Sequence, residues 1–80
     1  MTYYKAPAFP RPIGPLCAID PRTGRIAQLG DRIEHFSLGK GGEVAGVAWD
    51  DLCRHAVPVI LLDGRTIARP YAWSVVTLTG

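Results

Sequence analysis

Four side chains in this sequence could ligate a metal or take part in thiol chemistry: Cys17, His35, Cys53 and His55. Structural zinc is held by four Cys or His ligands, so the set is chemically sufficient. Its spacing is not. Only Cys53 and His55 are near neighbours, at i and i+2, and no C-x-x-C or H-x-x-x-H pair accompanies them. The spacing therefore assigns no metal, and any convergence of the four would have to come from the fold. Cys53 beside His55 also suggests a thiolate–imidazole pair, but catalysis of that kind needs a third group to orient the base. Asp50 and Asp51 offer themselves for that role by proximity alone. Following Trp49, they read equally as a solvated loop or a helix N-cap. The Gly39-x-Gly41-Gly42 segment lacks the Gly-Lys-Ser/Thr ending of a phosphate-binding loop. The expectation is a protein that is not an enzyme and carries no cofactor.

The aromatic residues are a second candidate set. Trp49, Tyr71 and Trp73 are large for a small core, since a buried aromatic covers on the order of 150–250 Å². At least one of the three is expected at the surface. Arg65 and Arg69 stand four apart on one expected strand, hence on one face, and Lys40 sits in the glycine segment.

What must position these residues is one small domain. The chain has 80 residues, 48% of them hydrophobic and 20% charged, which is globular rather than disordered. The net charge is only +2, and it is uneven. Residues 1–29 carry four basic groups against Asp20, whereas residues 30–80 carry five basic and six acidic groups. Such a balance does not announce a nucleic-acid binder. The longest apolar stretch, residues 56–62, falls far short of the ~20 residues needed to span a bilayer. Nothing has the order of a secretory signal. Cys17 and Cys53 are too few for a disulfide scaffold but enough for one bridge, and the compartment expected is the reducing cytoplasm.

Residues 1–16 contain four of the seven prolines, with Tyr3, Tyr4 and Phe9 among them, and read as a flexible proline-rich arm. From residue 17 to residue 80 the punctuation is that of short strands. Cys17-Ala18-Ile19 and Arg25-Ile26-Ala27-Gln28-Leu29 flank a turn at 20–24, giving a hairpin over 17–29. A barrel core over 30–79 follows. Residues 32–36 form a strand, residues 37–42 a flexible glycine-rich loop, and residues 43–49 a strand. In that second strand Val44, Gly46 and Ala48 share one face. Residues 57–62 make a central apolar strand. Asp63-Gly64 reads as a type I′ hairpin turn leading into a return strand over 65–69. Pro70-Tyr71-Ala72-Trp73 suggests one helical turn, and residues 74–78 close the set. Helix has little foothold beyond one or two turns at 49–55. The fold class expected is all-β, a small five-stranded barrel.

The order Gly30-Asp31-Arg32-Ile33, His35, the glycine segment before Glu43-Val44, residues 57–65 with their Asp-Gly turn, then the Pro70–Trp73 turn resembles the SH3-like barrels of the KOW and Tudor kind. The resemblance spans roughly residues 29–79 and implies a binding module. In such barrels the turn before the last strand borders a binding groove. It therefore implies a groove built from Trp49, Arg65, Arg69, Tyr71, Trp73 and Lys40, although Tyr71 and Trp73 could instead plug the barrel ends. The plasmid type II dihydrofolate reductases are similar too, with an N-terminal arm and a Gly-Asp-Arg opening. Their Val-Gln-Ile-Tyr signature, however, is replaced here by Thr66-Ile67-Ala68-Arg69. A fainter likeness to the repeats of PAAR spike tips ranks below both.

These readings lead to a non-catalytic module binding a protein partner, with self-association as one way to cover an exposed sheet edge. Chains of this size without a catalytic signature are common on mobile elements, which is background expectation for this one. Two alternatives stand beside it. One is a nucleic-acid binder using Lys40, Arg65 and Arg69 on phosphates. The other is an oligomeric small-molecule-binding barrel of the reductase kind.

Overall fold

The computed structural model describes residues 16–79. All but Leu16 of the proline-rich arm lies outside the described residues. The chain is all-β as expected: five antiparallel strands form one sheet, with no helix among the described residues. The strands are β1 (Arg32–His35), β2 (Lys40–Asp50), β3 (His55–Leu62), β4 (Arg69–Pro70) and β5 (Val76–Leu78). Their order across the sheet is β4-β3-β2-β1-β5. Consecutive strands pair as neighbours through β1 to β4, and β5 returns to the free side of β1. No helix is long and apolar enough to cross a membrane among the described residues.

Two-residue periodicity explains most of the core. Ile33 and His35 point inward from β1, with Arg32 and Glu34 outward. Val76 and Leu78 do the same from β5, and Ile60 and Leu62 from β3. Ile33, Val44, Ile60, Leu62, Val76 and Leu78 pack with Trp73, Ala18 and Ala27 into one cluster. β2, rather than β3, is the middle strand. Pro58 sits in the inner strand β3, which ordinarily excludes proline. Its carbonyl accepts a bond from Tyr71 N (3.1 Å), just past the end of β4. In an extended residue N and O point the same way, so the missing N–H faces that side and leaves the β2 ladder intact.

Several sequence expectations are corrected. The glycine segment does not stay a loop: Lys40, Gly41 and Gly42 belong to β2 and pair with His35, Glu34 and Ile33. The hairpin turn shrinks to residues 36–39, where Gly39 takes φ 63° and its N–H bonds to His35 O. Gly42 is needed for close approach, because a Cβ there would lie 2.6 Å from the Leu61 carbonyl oxygen and 2.9 Å from Leu62 Cα. Gly42→Ala should therefore push β2 off β3 and cost about 1–3 kcal/mol. Urea denaturation reads this out, and an unchanged midpoint would mean the strands tolerate the methyl.

The face assignment of β2 also changes. An extra residue at Ala45 makes a β-bulge: Val44 pairs Ile60, but Gly46 pairs Val59 and Val47 pairs Pro58. Directly paired residues share a face, as do residues two apart. Val47, not Gly46, therefore lies on the side of Val44 and Ile60.

The Asp63-Gly64 turn is not type I′. Only Gly64 has positive φ (82°), and Arg65 N bonds to Leu62 O at 3.0 Å, the pattern of a type II turn. The return strand is only Arg69–Pro70, so residues 63–68 are a loop and Arg65 shares no strand with Arg69. The helical turn lies two residues later than expected, closed by Val75 N to Ala72 O (3.1 Å). Residues 51–54 form a single turn between β2 and β3, with Arg54 N bonded to Asp50 O at 2.7 Å and Arg54 itself at φ 59°.

The 17–29 hairpin is present in reduced form, as one bridge between Ile19 and Ile26 flanked by Asp20 N to Arg25 O and Ala27 N to Ala18 O bonds. Its turn is clasped onto β5. Asp20, fully buried, accepts bonds from Leu78 N (3.0 Å), Thr77 Oγ1 (2.7 Å) and Arg22 N (2.9 Å). Arg22 Nη1 donates to the carbonyls of Trp73 (2.6 Å) and Val76 (3.0 Å), and its guanidinium sits 5.2 Å from the centre of the Phe36 ring.

Candidate functional site

The aromatic set divides. Trp73 is buried, at 2% exposure, and its indole Nε1 donates to Ala56 O at 3.1 Å. The placement of Trp73 in a surface groove is thus corrected: it plugs the core, and its one polar atom finds a backbone acceptor there. Trp49 and Tyr71 are half-buried and share a concavity. It measures about 280 Å³ and lies between the end of β2 with the turn after it (Trp49, Asp50, Asp51, Leu52) and the end of β4 with the stretch after it (Pro70, Tyr71, Ala72).

Local structure fixes both walls. Tyr71 is held by its backbone bond to Pro58 and by edge-to-face contact with His35, whose ring centre is 5.0 Å away at 86°. His35 is itself buried, and its Nδ1 accepts a bond from Leu38 N at 3.2 Å. On the other wall, Asp50 Oδ1 accepts the amides of Leu52 (2.9 Å) and Cys53 (3.2 Å), which sets the turn that presents the rim. Leu52 stands at that rim 94% exposed, a large apolar side chain with nothing over it among the described residues. The indole Nε1 of Trp49 is buried and has no acceptor among the described residues.

The cations are elsewhere. Lys40, Arg65 and Arg69 are all exposed, and none lines the concavity, whose charged residues are Asp50 and Asp51. Lys40 instead lies near Asp63, whose carboxylate forms a two-pronged pair with Arg32 (3.0 and 3.4 Å). Hydrogen bonding to Arg32 holds the Asp63 carboxyl below its ordinary value and raises the guanidinium of Arg32 in turn. Both partners are exposed, so the pair adds little to stability.

No family model, curated protein or solved structure matches this chain.

The four metal-capable side chains do not meet. His35 is buried in the core with Nδ1 engaged, while Cys17 and Cys53 are exposed free thiols. Asp50, Cys53 and His55 do come together at the β2–β3 turn, a grouping whose carboxylate was not read as a ligand from sequence. Asp50 and His55 close an antiparallel hairpin as directly paired residues, a juxtaposition that sequence spacing does not display. It becomes visible only once the intervening segment is known to be a turn.

Proposed function

We propose that this chain is a non-catalytic binding module, an SH3-like barrel that takes a protein segment into the groove between Trp49 and Tyr71. The observation that carries the reading is the groove itself: two aromatic walls, an exposed leucine, and a rim whose charges among the described residues are carboxylates. A space of about 280 Å³ lies just below the usual range of small-molecule sites, which suits one long side chain. The acidic rim favours lysine or arginine among apolar neighbours, because a cation gains both from the carboxylates and from an aromatic face.

The barrel assignment draws support from the strand order, with β5 returning to β1 after a short turn. It also draws on the bulge in β2, since bulges bend and twist a long strand as small barrels require. Self-association through a sheet edge finds little to work with. The Asp20–Arg22 turn covers β5, and the other edge strand has two residues, one of them proline. Nucleic-acid binding is the less favoured alternative, because Lys40, Arg65 and Arg69 stand outside the groove and phosphates would be repelled by its rim.

The test is backbone and indole NMR on the full chain, titrated with short basic–apolar peptides and, separately, with a single-stranded oligonucleotide. Basic peptides should move the signals of Trp49, Leu52, Tyr71 and Ala72. Asp51→Lys, an exposed change, should weaken them by about fivefold, the equivalent of about 1 kcal/mol. Shifts centred on Lys40 and Arg65 with the oligonucleotide, vanishing steeply with salt, would replace this reading with the nucleic-acid one.

A further inference from the structure

We infer that Asp50, Cys53 and His55 form a binding site for a single zinc-type divalent cation at the β2–β3 turn. One ligand atom from each, a carboxylate oxygen, a thiol sulfur and an imidazole nitrogen, lies within 4.8 Å of the other two. Sulfur, nitrogen and oxygen donors together match zinc, which binds all three at about 2.0–2.3 Å. Around a tetrahedral ion such donors stand roughly 3.3–3.6 Å apart, so the set must contract by up to about 1.5 Å. Cys53 and His55 are exposed, and rotation of their side chains supplies that movement.

The backbone is already arranged for it. Asp50 and His55 are directly paired across the hairpin, and the turn between them is closed by the Arg54 N to Asp50 O bond. Asp50 Oδ1 accepts two amides, one of them that of Cys53, which orients the carboxylate while its second oxygen can face the ion. Outer hydrogen bonds of this kind commonly fix metal-binding carboxylates. Three protein ligands leave a fourth position for water. Binding displaces the thiol proton and should strengthen as pH rises. Asp50 also lines the groove, but this site does not depend on what the groove binds, and either can fail without the other.

The test uses zinc(II) and cobalt(II) salts alone with the reduced full chain. Titration calorimetry should give one equivalent of zinc. Cobalt should produce a thiolate-to-metal charge-transfer band and the visible absorption of a tetrahedral ion. Cys53→Ser should abolish the band and His55→Asn should weaken zinc at least about a hundredfold, beyond the ten- to hundredfold typical of losing an outer partner. Cys17→Ser should leave both signals intact. All three positions are at the surface or in the turn, and unchanged circular dichroism confirms each variant's fold. A wild-type chain with no charge-transfer band, or a band lost with Cys17→Ser and kept with Cys53→Ser, overturns the site.

Discussion

Trp73→Ala should lower the stability of this domain by about 3–5 kcal/mol, the range seen when a buried large aromatic is truncated. A domain of this size is stable by roughly 4–12 kcal/mol in all, so the variant should be largely unfolded or melt more than about 12 °C lower. The reason is geometric. Trp73 is 2% exposed, and it faces the Ile33, Ile60 and Val76 cluster from the turn before β5. Trp73→Phe separates the two contributions, since it retains a ring but leaves Ala56 O without its indole donor, at a cost of about 1 kcal/mol plus the lost volume. Thermal melts followed by circular dichroism measure both. If Trp73→Ala melted within a few degrees of wild type while abolishing partner binding, the residue would belong to a surface groove after all.

Asp20 should matter almost as much, and its effect should depend on pH. Burial pushes its carboxyl up, but the bonds from Leu78 N, Arg22 N and Thr77, with the nearby Arg22 charge, outweigh it and hold it below the ordinary 3.8. A group whose folded pKa is depressed stabilises the fold in its ionised form. Its contribution is complete above the ordinary carboxylate value and drains away as pH falls through that value towards the lower folded one. Asp20→Ala leaves Leu78 N and Thr77 Oγ1 without their acceptor and should cost about 3 kcal/mol at pH 7. Asp20→Asn, which keeps an acceptor oxygen but no charge, should cost less and should flatten the loss of stability between pH 5 and pH 2. Urea denaturation at several pH values checks this. An Asn variant with the wild-type acid slope would assign that slope to another carboxylate.

Sequence reasoning reached different depths in different parts of the chain. The strands at 32–36 and 57–62 were legible because alternation or a continuous apolar run with β-branched residues leaves few other options. Gly41 and Gly42 misled, since glycine signals freedom as readily as it signals crowding. Only the Leu61 carbonyl opposite, a contact between residues far apart in sequence, distinguishes the two. The bulge at Ala45 is marked only by Gly46 within the strand, a signal that does not fix which residue is extra, so the faces beyond it were assigned in the wrong phase. Of the candidate groove, Trp49 and Tyr71 stood out by their size and by the resemblance to SH3-like barrels, and both line one concavity. Trp73 was equally large, and nothing short of its position over Ala56 tells a plug from a wall. Asp50 as a ligand-bearing residue, and Asp20 as the centre of a buried hydrogen-bond cluster, depend on pairings that sequence spacing does not display.

The clasp between the Asp20 turn and the last strand joins residues 51 to 58 positions apart. Such contacts bring no reward until nearly the whole intervening chain has been gathered in, so the entropic cost of closure falls early and the gain falls late. During synthesis residues 16–31 leave the ribosome well before their partners exist. A released chain truncated ahead of residue 76 would hold Ile33 and Ile60 uncovered, open to chaperones and to other incomplete copies. Acquisition of the native state is therefore expected to be abrupt and to follow emergence of β5, with truncated chains sensitive to protease.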